Sequence, residues 1–173
     1  METVFHVNGS VDHIELDRYR SNHLLISVGH ELRTYSLENG RMSVIVGNQN
    51  KESSYREGPG TIVYFEQITG FVQTSKDFVV VVSTWEHCLH SVSRQNATTK
   101  VFAGECKSGG FNNGKWDYAH FNRPFKLIQD AKNHTTLFVT DGANIQVRTV
   151  DTYTRTVGSL VTMENSTEDE LYG

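Results

Sequence analysis

The stretch Phe121-Asn-Arg-Pro124-Phe-Lys-Leu-Ile-Gln-Asp130, continued by Thr136-Leu-Phe-Val-Thr-Asp141-Gly-Ala-Asn144-Ile-Gln-Val147-Arg148-Thr-Val-Asp151 and Thr156-Val-Gly158-Ser-Leu160, reads as four short strands. One follows Pro124, the next is the apolar run Leu137 to Thr140, the third alternates through Ile145, Val147 and Thr149, and the fourth runs from Thr154 to Val161. Turn residues part them, as a meander of hairpins requires. The Asp-x-x-Asn break between the second and third strands suits a tight turn, because short side-chain acceptors cap free backbone N–H groups.

The same order of elements occurs twice more upstream. Phe65–Gly70, Val79–Ser83, Cys88–Val92 and Val101–Gly104 make one copy; Ile14–Leu16, Leu24–Ser27, Leu32–Tyr35 and Val44–Gly47 make another. The anchors Leu32, Leu89 and Val147 fall about 57 residues apart, and Gly47, Gly104 and Gly158 keep nearly that spacing. Such a period marks a repeat array. With 14 Gly, two Pro and no helical periodicity, the chain reads as all-β.

A strand, Asp-x-x-Asn and a strand carrying Val147-Arg148 resemble the NHL repeat of β-propellers, as does Gly109-Gly-Phe-Asn-Asn-Gly114 followed by Ala119-His-Phe-Asn-Arg-Pro124. The glycine-rich phrase reads as a structural loop first and a ligand cradle second, glycines permitting positive φ. The resemblance spans residues 11 to 161 and is specific in the third copy; the middle copy has Thr84-Trp-Glu-His-Cys88 in place of Asp-x-x-Asn, and the first has Val28-Gly-His-Glu31. It implies a partial β-propeller of three four-stranded antiparallel blades, at about 11–47, 63–104 and 119–161 within 11–162, after a lead-in at 1–10 and before an acidic, disordered tail at 163–173. Closed propellers have about four to eight blades, so further blades or self-association would complete the ring. The cysteine pair and the extended loops between blades are similar to the secreted animal branch of the family.

The third strand of the middle copy runs from about Cys88 and its fourth is expected to end at about Cys106. Facing residues of an antiparallel hairpin share a midpoint, and the midpoint of this pair, residue 97, lies in the turn expected at Gln95 to Thr98. The two sulfurs should therefore meet and bond. Two unrelated buried thiols are the alternative. A zinc site of His87, Cys88, His90 and Cys106 is weaker, since His87 and Cys88 are adjacent and point to opposite faces of a strand. A disulfide implies an oxidising compartment, and Asn-x-Ser/Thr sequons at Asn8, Asn96, Asn133 and Asn165 agree with it. Met1-Glu-Thr-Val-Phe-His-Val lacks the pattern of a secretory signal. The chain is therefore expected to be part of a longer extracellular or membrane-anchored protein, and no apolar run approaches the roughly 20 residues of a membrane span.

Strand direction sorts the loops into two rims. Links from a fourth strand to the next first strand share one rim with links from second to third strands. That rim is expected to carry a binding surface of Tyr55, Arg56, Trp85, His87, Trp116, Tyr118 and His120, since Trp and Tyr supply large contact area; packing of Trp85 and Trp116 between blades is the alternative. Asn96 and Asn133 fall on the opposite rim. Net charge is -4 with a pI near 6.0. On the binding rim Lys51, Arg56, Lys107 and Lys115 are outnumbered by Glu52, Glu57, Glu86, Glu105, Asp117 and Asp141, which argues against the nucleic-acid binding of some intracellular NHL propellers. The eight His are dispersed, and no Gly-x-Ser-x-Gly, His-Glu-x-x-His or phosphate loop is present. The expected function is a non-catalytic extracellular recognition or scaffold module, without cofactor, for a protein, peptide or glycan partner. A propeller lyase-type metalloenzyme is the alternative, and an RNA-binding module a more distant one.

Overall fold

The computed structural model describes residues 9–49 and 58–162. Its strands are β1 (Val11–Leu16), β2 (His23–Val28), β3 (Glu31–Ser36), β4 (Met42–Gly47), β5 (Gly58–Pro59), β6 (Ile68–Gln73), β7 (Phe78–Ser83), β8 (Cys88–Ser93), β9 (Thr98–Ala103), β10 (Gly114–Lys115), β11 (Pro124–Gln129), β12 (Thr136–Asp141), β13 (Gln146–Asp151) and β14 (Thr156–Thr162). They form three antiparallel sheets in meander order, β1-β2-β3-β4, β6-β7-β8-β9 and β11-β12-β13-β14. Among the described residues, helical backbone is confined to the short 3-10 turns Gly60–Ile62 and Gly142–Asn144. The chain is all-β.

The run Val79-Val-Val-Val82 shows how the sheets stack. Val79 and Val81 join Leu25, Leu32, Phe65 and Phe71 in a core between the first and middle sheets. Val80 and Val82, on the opposite face, join Leu89, Phe121, Leu127, Leu137 and Val139 in a core between the middle and third sheets. A strand buried on both faces reads as continuous apolar sequence, whereas β12, buried on one face, alternates. Burial of each such side chain stabilises the fold by roughly 1.5–3 kcal/mol.

The inner strands β1, β6 and β11 lie side by side, tied by polar groups. Lys126 donates from Nζ to the carbonyls of Asp12 (2.7 Å) and Thr69 (2.5 Å), one on each of the other two inner strands. Burial holds its amine below the ordinary value, with Asp12 opposing. Gln73 donates to Glu15 and to the carbonyl of Leu16.

The long links between sheets have a structural reason. Each runs to the outer edge of the following sheet and adds a two-residue strand there before turning inward: β5 pairs with β9, and β10 pairs with β14. Part of the outer edge of the middle and third sheets is thereby paired, which shortens the exposed edge.

Two sequence expectations about register are corrected. The ladder pairs Leu32 with Val46, Leu89 with Ala103 and Val147 with Val161. Thr162, and not Gly158, thus stands where Gly47 and Gly104 stand in their sheets. Gly158 sits within β14 opposite Thr149, on the turn side of a bulge that all three sheets share after the anchor. In the middle sheet the ladder pairs Val92 with Thr99 and Leu89 with Ala103, a hairpin centred at about Asn96 and not at residue 97, so Cys106 is not opposite Cys88 but lies beyond the end of β9. The disulfide forms nonetheless, with a Cα–Cα distance of 5.1 Å. The chain doubles back at Gly104 (φ +96°), where a Cβ would come within 2.8 Å of the Phe121 ring. Only glycine fits that bend without displacement.

Candidate recognition site

Three of the four residues in the turn between β7 and β8 work below the surface or at its edge, and one projects. Thr84 is buried, its hydroxyl bonded to Thr69 Oγ1 (2.6 Å) and to the carbonyl of Pro124 (2.7 Å). Glu86 is fully buried. His87, with φ +60°, turns its ring towards the third sheet, where Nδ1 accepts from the backbone N–H of Arg123 (3.1 Å). Trp85 is left outside, 48% exposed. Its Nε1–H donates to Gln67 Oε1 (3.0 Å), and the Arg123 guanidinium lies 4.7 Å from the ring centre. An exposed indole held from both sides is already ordered, so a ligand would meet it at little entropic cost.

Beside Trp85 opens a cleft of about 460 Å³ between the first and middle sheets, lined by Gly29, His30, Tyr64, Glu66 and Gln67 among others. His30 and Tyr64 stack at 5.3 Å. His30 Nδ1 lies 2.8 Å from the carbonyl of Phe65; since a carbonyl only accepts, Nδ1 carries the proton and Nε2 of the neutral ring is an acceptor. Burial, with the charges of Glu66 and Glu86 adding to it, raises the Tyr64 phenol above its ordinary 10.0. It therefore stays a donor at neutral pH. The cleft offers aromatic faces, hydrogen-bond donors and acceptors, and one carboxylate, a lining suited to binding by contact.

The other expected rim residues scatter. Trp116 follows β10 to the outer edge and packs on Phe102 (ring centres 4.3 Å apart), under Arg155. It lines a second cleft with Phe78, His134 and Thr152, towards the opposite rim, and does not join Trp85. Tyr118, 70% exposed, sits in the turn that follows β10. His120 pairs with Glu105 (2.9 Å) and its Nδ1 meets Asn112 Nδ2 (3.2 Å). Tyr55, Arg56, Asn8 and Asn165, with the tail at 163–173, lie outside the described residues. Asn96 and Asn133 are exposed in the β8–β9 and β11–β12 turns, and each side-chain oxygen accepts from the hydroxyl of the threonine two residues on, at 2.8 Å.

The rim's charge count also changes, because Glu86 and Asp141 are both buried. Asp141 belongs to a polar network the sequence reading missed. Its Oδ2 accepts from Arg148 Nη1 (2.8 Å) and Asn144 (2.8 Å), and its Oδ1 from the N–H of Asn122 (2.6 Å). Arg148, fully buried, also donates to the carbonyls of His120, Asn112 and Gly158 and to Asn113 Oδ1. The signal was present: Arg33, His90 and Arg148 each follow a ladder anchor. Each has an acidic partner, Glu31, Glu86 and Asp141 respectively.

Similar sheet arrangements occur in solved structures. A structural genomics protein of unknown function from Bacteroides thetaiotaomicron superposes with a TM-score of 0.66 at 14% identity, over 87% of this chain and 35% of that one. The chain has a propeller-like fold. An auxiliary nutrient binding protein from Bacteroides ovatus gives a TM-score of 0.58 at 15% identity, covering 87% and 36%. The nidogen/laminin complex gives 0.55 at 12%, covering 86% and 44%. The propeller-like chain thus spans between about a third and a half of the length of these proteins. No family model matches it, and no curated protein matches it.

Proposed function

We propose that the chain is an NHL-like, three-blade portion of an extracellular propeller, acting as a non-catalytic recognition module for a protein, peptide or glycan through the cleft beside Trp85. One observation carries the reading: an indole kept out of the core, fixed by Gln67 and Arg123, at the mouth of a cleft lined by His30, Tyr64 and Glu66. The disulfide, and the nutrient-binding and nidogen/laminin structures with this fold, support a binding role outside the cell. Glycans on Asn96 and Asn133 would cover the opposite rim and leave this one open. Beyond the third sheet, Ile128, Phe138 and Val147 line an apolar groove, which suits a further blade or a second copy.

The test is binding to arrays of peptides and of oligosaccharides, wild type against Trp85→Ala. Half of the indole lies outside the core, so the variant keeps its fold, and its binding falls by at least about tenfold, the loss of a central aromatic contact being worth about 2 kcal/mol. A folded Trp85→Ala that binds every wild-type ligand equally well would overturn the assignment.

A further inference from the structure

The geometry points to a second state of the Cys88–Cys106 pair, in which reduction converts the disulfide into a tetrahedral zinc site of two thiolates, the His90 imidazole and the Glu86 carboxylate. The site lies beneath the β7–β8 turn and is independent of the recognition reading. Glu86 is the observation that calls for it. Its side chain is fully buried, yet neither carboxylate oxygen has a hydrogen-bond partner among the described residues. Its ion-pair contact is with the His90 imidazole; buried carboxylates are ordinarily hydrogen-bonded as well, or bound to metal.

Its Oε2 lies 3.3 Å from His90 Nε2, and Cys88 Sγ lies 3.3 Å from that same nitrogen. The ligand atoms of Cys88, His90 and Cys106 all fall within 4.8 Å of one another. Zinc bonds of about 2.3 Å to sulfur and about 2.0–2.1 Å to nitrogen and oxygen set tetrahedral edges of roughly 3.3–3.8 Å between ligand atoms. Two of the six such edges are already in place, and the edge between Cys88 and Cys106 opens when the bonded sulfurs separate. The donor set, two sulfurs, one nitrogen and one oxygen, suits zinc over calcium or magnesium. Cys106 is partly exposed, which gives the metal a way in. The backbone N–H of Lys107 donates to the carbonyl of Glu86 (2.7 Å), holding the Cys106 loop against the turn after the sulfurs part.

The chemistry balances. A water-soluble phosphine breaks the S–S bond with two electrons, takes the oxygen of one water to become the phosphine oxide, and leaves that water's two protons on the sulfurs. Zinc then binds as those two protons leave, so affinity rises with pH. Oxidised sulfurs offer no thiolate. Disulfide and metal therefore exclude each other.

The experiment reduces the whole chain with such a phosphine, adds zinc, removes the excess and measures metal per chain, with the unreduced protein alongside. The expected result is about one zinc per reduced chain and none on the oxidised one. Cobalt in place of zinc should give the strong visible bands of tetrahedral thiolate coordination. Glu86→Gln, which keeps the side chain's shape, should weaken zinc at least about tenfold, with oxidised-state melting retained as the control. Three outcomes would overturn the inference: no zinc on a folded reduced chain, equal zinc on Cys88→Ser/Cys106→Ser, or a reduced chain that unfolds and is not restored by zinc.

Discussion

The turn between β7 and β8 and the turn between β12 and β13 occupy the same place in the repeat and meet the same demand by different chemistry. Both tie the one long link between the middle and third sheets to the start of a third strand, through Cys106 for the middle sheet and through residues 112–122 for the third. In the third sheet the tie is polar: Arg148 and Asp141 are both fully buried, and their donors and acceptors are taken up by one another and by the link at Asn112, Asn113, His120 and Asn122. In the middle sheet the tie is covalent, Cys88 to Cys106; Ser83 stands in the register of Asp141, and the buried acid is Glu86 in the turn, beside His90 and without hydrogen-bond partners among the described residues. A polar tie must be complete, because each orphaned group in a low-dielectric interior is costly. A covalent tie leaves its acid free of that structural duty.

Removing one partner separates the two designs most sharply. Arg148→Met should lower unfolding free energy by about 3–5 kcal/mol, since it strands Asp141 as a buried unpaired carboxylate; urea denaturation would show it, and a loss under about 1 kcal/mol would mean that the network is not what holds the link. Cys88→Ser should cost less, about 3 kcal/mol for a loop of this length. Comparison of denaturant midpoints with and without reductant checks it, since reductant should shift the wild type and leave the variant where it is.

A smaller effect concerns the polar tie between β1 and β6. Burial works against the Glu15 carboxylate, but hydrogen bonds to His13 and Gln73 outweigh it and hold its pKa below the ordinary 4.5. With the folded value depressed, the stabilisation is present above the unfolded value of 4.5 and is lost as pH falls through the folded one. Glu15→Gln should therefore flatten the acid limb of the stability profile below about pH 4.5. An unchanged limb would assign acid sensitivity to other carboxylates.

How far the sequence could be read follows from which contacts are local. The strands announced themselves: Val79 to Val82 by its unbroken apolar run, β12 and β13 by alternation around Asp-x-x-Asn. The anchors Leu32, Leu89 and Val147 fell in equivalent ladder positions because each is a buried or half-buried residue in a third strand. The cysteine partnership was found through a hairpin centre placed at residue 97, whereas the ladder centres at about Asn96 and Cys106 reaches Cys88 past the bend at Gly104. Trp116 was placed with Trp85 because both lie in loops leaving the same rim. Its true position depends on two residues, Gly114 and Lys115, pairing with β14 some forty residues later, which no local pattern announces. The pairing of Glu86 with His90 was missed because a turn glutamate reads as a solvated charge; the repeat register of His90 with Arg33 and Arg148 was the one available clue.

The valine run of β7 has a last consequence. Because its two faces serve different cores, the middle sheet has no water-compatible side and cannot stand as a soluble piece by itself. Removing either neighbour would bare a flat, uncharged ladder of the kind that seeds cross-β aggregation. Melting is therefore expected to be all-or-none across the three sheets, and expression of the middle repeat alone to yield aggregate.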